Sequence, residues 1–544
     1  MSRAGVFLCE CSEGSSVGGV DELARCLKEA GVRVHLIPSL CTHRGLRVVH
    51  DRIVKDDLNR IVFGACGPEM EGIRWLVQDL GCRWAVVDIH GEQDPGISVS
   101  VIKKAIQDLG GRPGTSDASQ RVLIVGGGVA GVQAALDATQ AGYPVTVVEA
   151  SPSIGGVMAR LDKTFPTMDC SICILGPKLA EVGSHPDIEV LSHSRVKEIS
   201  GEAGNFLVTV ETAPRYIDMT KCNGCGRCAE VCPVVVPNAW DCSLKPRKAI
   251  YISFAQSVPL RSSIDIDHCI RCEMCVRVCE REAINFEDEA KTRTRHVGAV
   301  VLAPGIELFD ASRMTRYGYG RLENVLTNLD FERVVCASGP TEGRLIRQDG
   351  KRIERLAFVQ CVGSRDIHHH EYCSAYCCMA TIKQAMLVKE RDPASEVSVF
   401  YNDIRAGGKG FQEFYDRARK EGIRFIKSLP GAIEGDPDRK VLKIQYEDLG
   451  SFQLKKMEVD MAVLATAMEP TSEYRELARI FRLDLDPWGF FQERHPSLGP
   501  VETTREGIYL AGTCVGPKDI PESVGQGSAV AAKICRLFHG RESE

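Results

Sequence analysis

Short apolar runs alternate with amphipathic stretches along most of the chain. Clear examples of such runs are "VLIV" (122–125), "VTVVE" (145–149), "AVVLA" (299–303), "LAFVQC" (356–361) and "MAVLAT" (461–466). A short apolar run bounded by turn residues is typical of a strand that is buried on both faces, and the stretches between the runs are typical of helices. The alternation predicts a multidomain α/β protein.

Length and charge exclude several classes of protein. With 544 residues the chain is too long for a single hydrophobic core. The formal net charge of −6 gives no basic surface for nucleic acid. No apolar run approaches the ~18 residues of a membrane span, and the first residues, "MSRAGVFLCECSEG", lack the apolar core of a signal peptide. We therefore expect a cytoplasmic protein without a membrane span.

Cysteine is the unusual component, at 24 residues. In a large chain without a secretion signal, clustered cysteines are more often metal ligands or redox groups than structural disulfides. The spacing of these cysteines therefore bears directly on function.

Two segments share one cysteine spacing, C-x₂-C-x₂-C-x₃-C. They are "KCNGCGRCAEVCPVV", with Cys222, Cys225, Cys228 and Cys232, and "HCIRCEMCVRVCERE", with Cys269, Cys272, Cys275 and Cys279. This spacing belongs to two-cluster bacterial ferredoxins, in which the fourth cysteine of each run ligates the other cluster. One 4Fe–4S cluster should thus take Cys222, Cys225, Cys228 and Cys279, and the other Cys269, Cys272, Cys275 and Cys232. The alternative is a pair of zinc sites, which usually have separated pairs of ligands.

A dinucleotide-binding fingerprint precedes these runs. In "QRVLIVGGGVAGVQAALDATQAGYPVTVVEAS" a strand leads into Gly126, Gly128 and Gly131, then a helix and a second strand ending at Glu149. The glycines let the backbone approach a pyrophosphate at the helix N-terminus, and Glu149 can bond a ribose hydroxyl. The alternative is a purely structural glycine turn.

Further segments favour FAD over NAD. Gly155 and Gly156 resemble the second glycine pair of flavoproteins with two dinucleotide domains, and Gly305 lies in one of two segments, "GAVVLAPGIE" and "MAVLATAMEP", at which such domains exchange chain. "EGIYLAGTCVGPKDIPESVGQGSA" resembles their closing motif, with Thr513 and Cys514 after Gly512 where Asp is usual. We expect a long helix from near Pro521 and take Lys518 as the catalytic charge near the flavin ring; a solvated surface lysine is the alternative.

Four thiols stand where a second dinucleotide unit should have its glycine turn. "FVQCVGSRDIHHHEYCSAYCCM" contains Cys361, Cys373, Cys377 and Cys378, and the fingerprint itself is missing. Cys373 and Cys377 are four apart on a helix that we expect to begin at Cys373, so they should share a face. These thiols suggest a further iron–sulfur cluster beside the flavin. Buried apolar cysteines and a Cys377–Cys378 redox pair are the alternatives.

The first ~115 residues predict a small α/β unit. Cys9 or Cys11, Cys41 and Cys66 end three successive strands, and the carboxyl ends of parallel strands share one edge of a sheet. Cys82 could be the fourth ligand of a cluster there, although it opens its strand. In "DCSIC", Cys170 and Cys173 form a C-x-x-C motif, either a redox-active dithiol or a pair packed against the flavin.

The predicted fold is a thioredoxin-reductase-like flavoprotein with two dinucleotide-binding domains and an inserted two-cluster ferredoxin. The expected parts are an N-terminal α/β domain at 1–115, an FAD domain at 120–215, 296–334 and 456–544, a ferredoxin insertion at 216–295, and a degenerate second dinucleotide domain at 335–455.

Taken together, the motifs resemble the A-subunit family of heterodisulfide reductases. The resemblance rests on "GGGVAGVQAALD", "PSIGGVMARLDKTFPTMDCSICILGPK", both ferredoxin runs, "FVQCVGSRD…YCSAYCCM" and "GPKDIPESVGQGSA". It implies FAD and several 4Fe–4S clusters: two in the insertion, one on Cys361, Cys373, Cys377 and Cys378, and one in the N-terminal domain.

The same resemblance implies that the protein works in a larger complex with other heterodisulfide-reductase-like subunits. We expect a dimer within that assembly. The flavin would bifurcate electron pairs from a hydrogenase, formate dehydrogenase or similar donor, one electron to ferredoxin and one towards a disulfide or another acceptor. Two alternatives stay open. One is an NAD(P)H-dependent oxidoreductase resembling the small subunit of glutamate synthase, and the other is a non-catalytic electron-relay subunit.

Overall fold

The computed structural model describes residues 4–9, 20–38, 40, 42–56, 58, 60–65, 83–88, 99, 101–103, 105–106, 120–347, 349–436 and 440–542. The chain divides into two compact units, Met1–Thr115 and Ser116–Glu544. Among the described residues, no helix has both the length and the apolar character needed to cross a membrane.

The first unit is built around a four-stranded parallel sheet. In spatial order its strands are Arg33–Ile37, Ala4–Cys9, Arg60–Ala65 and Arg83–Asp88. Parallel neighbours need crossover connections, and the helices Val20–Glu29 and His43–Lys55 supply the first two. The unit is therefore α/β, as the sequence predicts.

The second unit contains a five-stranded parallel sheet that carries the glycine fingerprint. In spatial order its strands are Ile508–Leu510, Ala299–Leu302, Val122–Val125, Val145–Glu149 and Ile188–Ser192. Side chains alternate between the two faces of a strand, so Ile124 packs against helices on one face and Leu123 against a different layer on the other. Because both faces are covered, the central strands Ala299–Leu302 and Val122–Val125 are continuously apolar.

The two layers that cover this sheet differ in kind. The layer on one face consists of the helices Val129–Gln140, Ser171–Ser184 and Ile520–Glu542. The other consists of the helix Tyr474–Phe481 and an antiparallel sheet of Ser194–Glu202, Asn205–Thr212 and Lys291–Val297. The long last helix begins at Ile520, next to the Pro521 expected from the sequence.

The cysteine-rich insertion occupies residues 213–290. Lys291 is the register partner of Thr212 in the antiparallel sheet, so the insertion leaves and re-enters the domain at adjacent positions. Because the strand Lys291–Val297 begins inside the expected range of 216–295, the insertion ends earlier than predicted. Its elements are the strand pairs Val235–Pro237 with Pro246–Lys248 and Ile250–Tyr251 with Ser263–Ile264, and the short helices Arg227–Val231 and Met274–Val278.

A second five-stranded parallel sheet follows. Its strands, in spatial order, are Val325–Thr327, Met461–Thr466, Arg355–Val362, Glu396–Tyr401 and Arg424–Lys427. Its helices are Asn328–Val335, Cys377–Arg391 and Phe411–Lys420, and its antiparallel extension is Ala432–Asp436, Val441–Asp448 and Gln453–Val459. The remaining short elements are the pair Glu307–Leu308 with Met468–Glu469 and the 3₁₀ turns Met158–Arg160, Ala239–Asp241, Ala311–Arg313, Thr315–Tyr317 and Gly512–Val515.

The second domain is larger than the predicted 335–455. Val325–Thr327 and Met461–Thr466, which we assigned to the FAD domain, are hydrogen-bonded to each other within the second sheet. Both segments are wholly buried and apolar, so their composition suits either sheet equally. Only the pairing between distant strands assigns them, and it corrects the expected boundaries at 334 and 456.

One buried guanidinium joins three parts of the second unit. Arg333, on the second domain's helix Asn328–Val335, is 2% exposed. Its Nε donates to Asp241 Oδ1 of the insertion at 3.0 Å, and its Nη1 donates to the carbonyl oxygen of Arg160, in the first domain, at 2.9 Å. Removing one partner of a buried ion pair leaves an uncompensated charge, which costs about 3–5 kcal/mol.

We therefore predict that Arg333→Met lowers the free energy of unfolding by about 3–5 kcal/mol, because Asp241 stays buried without its cation. Arg195→Met is the matched control, since Arg195 pairs with Glu473 while its side chain is 50% exposed; exposed pairs contribute about 1 kcal/mol or less. Anaerobic chemical denaturation followed by circular dichroism measures both. Equal destabilisation by the two variants would contradict a structural role for the Arg333 pair.

Candidate functional site

A cavity of about 530 Å³ lies at the carboxyl ends of the first sheet. Gly126, Ala303 and Ala511, which directly follow three of the strands, form part of its wall. This edge is where open parallel sheets bind ligands. The predicted site residues found in the wall are Gly126, Gly128, Glu149, Gly156, Gly305, Gly512 and Lys518.

Two predicted glycines, Gly131 and Gly155, lie outside this lining. A Cβ on Gly131 would lie 2.0 Å from the carbonyl oxygen of Gly126, so the residue allows the helix to pack closely on the strand. Gly155 has a φ of +134°, and a Cβ there would lie 3.1 Å from that of Ala159. Both glycines shape the site by packing and are not part of the cavity surface.

Glu149 organises the glycine turn. Its Oε2 accepts the backbone N–H of Gly127, and its Oε1 accepts that of Ser151, both at 2.7 Å. A carboxylate can accept further hydrogen bonds on each oxygen. Glu149 can therefore hold the turn and still bind a hydroxyl group in the cavity.

The cavity fits a flavin dinucleotide. An added Cβ on Gly128 or Gly305 would meet no atom within 4 Å, so the backbone there is open to a ligand. Gly128 is also the N-cap of the helix Val129–Gln140, whose free N–H groups attract phosphate. The volume lies within the ~300–1,000 Å³ typical of cofactor sites.

The closing motif uses Cys514 for packing. Cys514 is fully buried, and its thiol donates to the carbonyl oxygens of Leu302 and Ala511, each at 3.3 Å. Burial raises the pKa of Cys514 to about 12. Thr513 lines the cavity where flavoproteins usually have Asp.

Asp519 also lines the cavity, and the sequence analysis missed it. The Glu522 N–H donates to Asp519 Oδ1 at 2.8 Å, and the Asp519 N–H donates to Glu522 Oε2 at 3.0 Å. This reciprocal capping box has a recognisable sequence, an Asp followed three residues later by Glu at a helix start. Burial raises the pKa of the Asp519 carboxyl.

The other walls of the cavity come from the insertion and the second domain. The insertion contributes Asn238, Ala239, Trp240, Arg247, Tyr251 and Ser253, and the second domain contributes Asn328, Leu329, Glu332, Tyr376, Ala380, Lys383, Gln384 and Met468. Three parts of the chain that are distant in sequence therefore enclose one space.

Lys383 and Glu332 form a buried ion pair in this wall. Their side chains are 2% and 3% exposed, and Gln384 Nε2 donates to Glu332 Oε1 at 2.6 Å. The sequence analysis did not identify this pair. Its signal was the charged Lys383 inside the otherwise uncharged stretch 377–388 of the helix Cys377–Arg391.

The eight ferredoxin-type cysteines line two separate cavities. Cys222, Cys225, Cys228 and Cys279 line one of about 200 Å³, and Cys232, Cys269, Cys272 and Cys275 line a smaller one. Each cavity therefore takes three cysteines from one run and the fourth from the other. This exchange is the arrangement that the sequence analysis predicts for two clusters.

One short segment of the insertion borders two of these spaces. Ala249 and Ile250 line the smaller cysteine cavity, and Arg247 and Tyr251 line the large cavity. The Arg247 guanidinium lies 3.8 Å from the centre of the Tyr251 ring. The smaller cysteine cavity is thus separated from the large cavity by little more than one backbone segment.

The four thiols of the further predicted cluster, Cys361, Cys373, Cys377 and Cys378, lie around the start of the helix Cys377–Arg391. Cys361, near the end of the strand Arg355–Val362, has a φ of +59°. The helix begins at Cys377, so the expectation that it starts at Cys373 is wrong. Ala375 adopts a left-handed φ of +57°, which breaks the helical path between Cys373 and Cys377. Cys373 therefore joins the group from a loop.

These four thiols are close enough to perturb one another. Burial, followed by Cys378 and Cys373, raises the pKa of Cys361 to about 11. The hydrogen bond between Cys377 and Cys378 raises the pKa of the first and lowers that of the second to about 7. Among the described residues, no three His, Cys, Asp or Glu side chains converge as a single metal ion requires. A cubane binds each thiolate at a different iron atom, so its ligands stand further apart.

The turn after the strand Arg355–Val362 is packed against an aromatic ring. Gly363, in this turn, has its Cα against the ring of Phe309, and an added Cβ would lie 2.4 Å from that ring. Phe309 is 1% exposed and belongs to the core of the second domain. A phenyl ring thus packs against the glycine that a nucleotide would need to approach.

The other predicted cysteines fall into three groups. Cys9 ends its strand, is 2% exposed, and accepts the Leu40 N–H at 3.4 Å. Cys11, Cys41, Cys66 and Cys82 lie outside the described residues. Cys170 and Cys173 are joined in a disulfide.

Comparison with known proteins matches both kinds of domain. A family described as FAD dependent oxidoreductase matches residues 121–167, and a 4Fe–4S binding domain matches residues 215–237. The chain is 41% identical to the iron-sulfur A-subunit of CoB–CoM heterodisulfide reductase from Methanocaldococcus jannaschii, over 98% of this chain and 85% of that protein.

A second relative and a solved structure are also similar to this chain. The A-subunit of H₂:CoB–CoM heterodisulfide,ferredoxin reductase from Methanothermobacter thermautotrophicus is 39% identical, over 98% of this chain and 84% of that protein. Among solved structures, thioredoxin reductase of T. acidophilum matches 76% of this chain and 98% of its own, with 14% identity and a TM-score of 0.42.

The exchanged cysteine sets predict a pattern in double variants. The double variant Cys222→Ser with Cys279→Ser should lose one cluster, about four iron atoms per chain. Each single variant should lose the same amount, because both residues line the same cavity. Cys222→Ser with Cys232→Ser should remove two clusters, because these residues line different cavities. Cys242→Ser, in the same insertion but outside both cavities, is the control. Iron per FAD and low-temperature EPR of the dithionite-reduced protein measure the loss, and a reversed additivity would show that each run holds its own cluster.

Proposed function

Because the chain belongs to the A-subunit family of heterodisulfide reductases, we propose that it is the electron-splitting flavin subunit of a heterodisulfide-reductase-like complex. It is an oxidoreductase with FAD and iron–sulfur sites. In the proposed reaction, electron pairs from a donor module such as a hydrogenase or formate dehydrogenase divide between ferredoxin and a disulfide or other acceptor. FAD exchanges electrons in pairs or singly, and the clusters accept single electrons.

The observation that carries this proposal is the composition of the large cavity's wall. Electron splitting at one site needs two separate exits, and the wall reaches two different sets of thiols. One set lies behind the insertion segment 247–251, and the other at the start of the helix Cys377–Arg391.

The first exit leads into the insertion. Ile250 lines the cavity of Cys232, Cys269, Cys272 and Cys275, while its neighbour Tyr251 lines the large cavity. We assign this cysteine set to the cluster nearer the flavin. The other set, Cys222, Cys225, Cys228 and Cys279, would then be the outer cluster, available to a partner.

The second exit leads into the second domain. Tyr376, directly before Cys377, lines the large cavity, and Ala380 and Lys383 of the same helix do so as well. Tyr376 is held by a hydrogen bond from Asn328 Nδ2 and by one that it donates to Thr466, each at 2.8 Å. A rigid helix thus connects the four-thiol set to the flavin cavity.

The Phe309 contact argues against a nicotinamide site in the second domain. Its ring packs on Gly363, at the turn where a pyrophosphate would have to lie. Electrons would therefore enter through partner proteins and clusters. The N-terminal domain, for which Cys9 is the described candidate ligand, would hold one more cluster.

Lys383 and Lys518 both line the cavity, and we propose that Lys383 is the charge that acts on the flavin. Glu332 holds the Lys383 ammonium in one place, and both are almost wholly buried. A buried charge interacts more strongly than one screened by solvent. The sequence analysis favoured Lys518, so the two lysines can be compared directly.

We expect anaerobic redox titration of the purified holoprotein to give crossed one-electron flavin potentials, with the second electron added more easily than the first. Little flavin radical should then appear in EPR spectra at any potential. A stable neutral radical over a wide potential range would contradict electron splitting. Rapid bleaching of the flavin by NADH alone would instead favour an NAD(P)H-dependent oxidoreductase, and a lack of reductase activity with any dye would favour a passive relay.

We predict that Lys383→Met lowers the two-electron potential of the flavin by about 30 mV or more, since reduction then adds negative charge without a compensating cation; 30 mV corresponds to about 1.4 kcal/mol. Lys383→Arg should keep most of the potential, and Lys518→Met should shift it less than Lys383→Met. Spectroelectrochemistry measures the potentials, and bound FAD per chain verifies the fold. A larger shift in Lys518→Met would make Lys518 the relevant charge.

A further inference from the structure

The Cys170–Cys173 disulfide lies outside every cofactor cavity described above. It closes the first turn of the helix Ser171–Ser184, and neither cysteine lines the flavin cavity. We propose that this pair is a thiol–disulfide exchange site that accepts two electrons from an external dithiol. This inference goes beyond the proposed function and does not depend on it.

The two sulfur atoms differ in access. Cys173 is exposed, whereas Cys170 is partly buried and is the N-cap residue of the helix. The Cys170 Sγ accepts the backbone N–H of Cys173 at 3.3 Å. An N–H donor and the positive end of a helix stabilise a thiolate, so Cys170 is the better leaving group.

The exchange then proceeds in two balanced steps. A thiolate of the dithiol attacks Cys173 Sγ, the Cys170–Cys173 bond breaks, and Cys170 leaves as a thiolate. The second thiolate of the dithiol attacks its own sulfur in the mixed disulfide and releases Cys173 as a thiolate. The dithiol leaves as a disulfide, two electrons have passed to the pair, and the two thiolates gain protons from water according to their pKa values.

The pair is tied to the wall of the flavin cavity. Cys170 forms a β-bridge with Lys163, and the Ser171 N–H donates to the carbonyl oxygen of Asp162 at 3.0 Å. Lys163, which lines the cavity, pairs with Glu390 at 3.1 Å. Asp162 pairs with Arg391 at 3.0 Å, so this loop also contacts the helix that begins with Cys377. The pair is therefore joined by hydrogen bonds to a loop that lines the cavity and that also contacts the helix Cys377–Arg391.

The test uses the tryptic peptide 164–178, in which Cys170 and Cys173 are the only cysteines. The anaerobic holoprotein is equilibrated at graded ratios of reduced to oxidised dithiothreitol, alkylated and analysed by mass spectrometry. We expect both cysteines to be reduced, and hence alkylated, over the same range of ratios, with iron per chain unchanged. A reduced sample that is reoxidised before alkylation should re-form the disulfide. A peptide that stays oxidised until the protein unfolds would overturn the proposal, and so would one that never forms the disulfide.

Single variants test the direction of attack. After treatment with oxidised glutathione, Cys170→Ser should carry several-fold more adduct on its remaining cysteine than Cys173→Ser, because Cys173 is the exposed sulfur. Cys535→Ser, on the last helix, is the control and should behave as the wild type. Equal adducts in both variants would overturn the assigned polarity. Loss of about one cluster's iron in either variant would show that the pair is a ligand set.

Discussion

The geometry of the second unit depends on the buried guanidinium of Arg333. This residue belongs to the second domain, pairs with Asp241 of the insertion, and donates to the backbone of Arg160 in the first domain. Arg160 in turn donates through Nε to the carbonyl oxygen of Trp240, which lines the flavin cavity. Because breaking a buried ion pair costs about 3–5 kcal/mol, this contact favours one arrangement of the three parts.

The insertion is anchored at a single strand pair of the antiparallel sheet. Thr212 and Lys291 are direct partners, so 78 residues can be added between them without disturbing the sheet. The insertion is therefore a module on a rigid base. Its inner segment, 247–251, borders the flavin cavity on one side and a cysteine cavity on the other. A ferredoxin fold and a flavin fold thus share a wall that neither would have alone.

The second domain combines a dinucleotide-type arrangement of strands and helices with a group of thiols. The strand Arg355–Val362 and the helix Cys377–Arg391 keep the positions of a dinucleotide-binding unit. Phe309 packs on Gly363 at the turn between them, and thiols stand at the end of the strand and the start of the helix. The carboxyl edge of the sheet remains the place where chemistry-bearing groups converge.

The spacing of residues that lie close together in the sequence predicted part of the fold and part of the candidate site. The glycine fingerprint ending at Glu149 and the two cysteine runs are each readable within about 25 residues, because turns depend on neighbouring residues. Tertiary structure alone decided the rest. Met461–Thr466 pairs within the second sheet, and a helix begins at Cys377 because Ala375 has a left-handed φ. Lys383 is buried beside Glu332. Strand pairing and ion pairing join residues that are far apart in the chain, and several partners of equal apolarity or charge are available to each. Only packing selects among them.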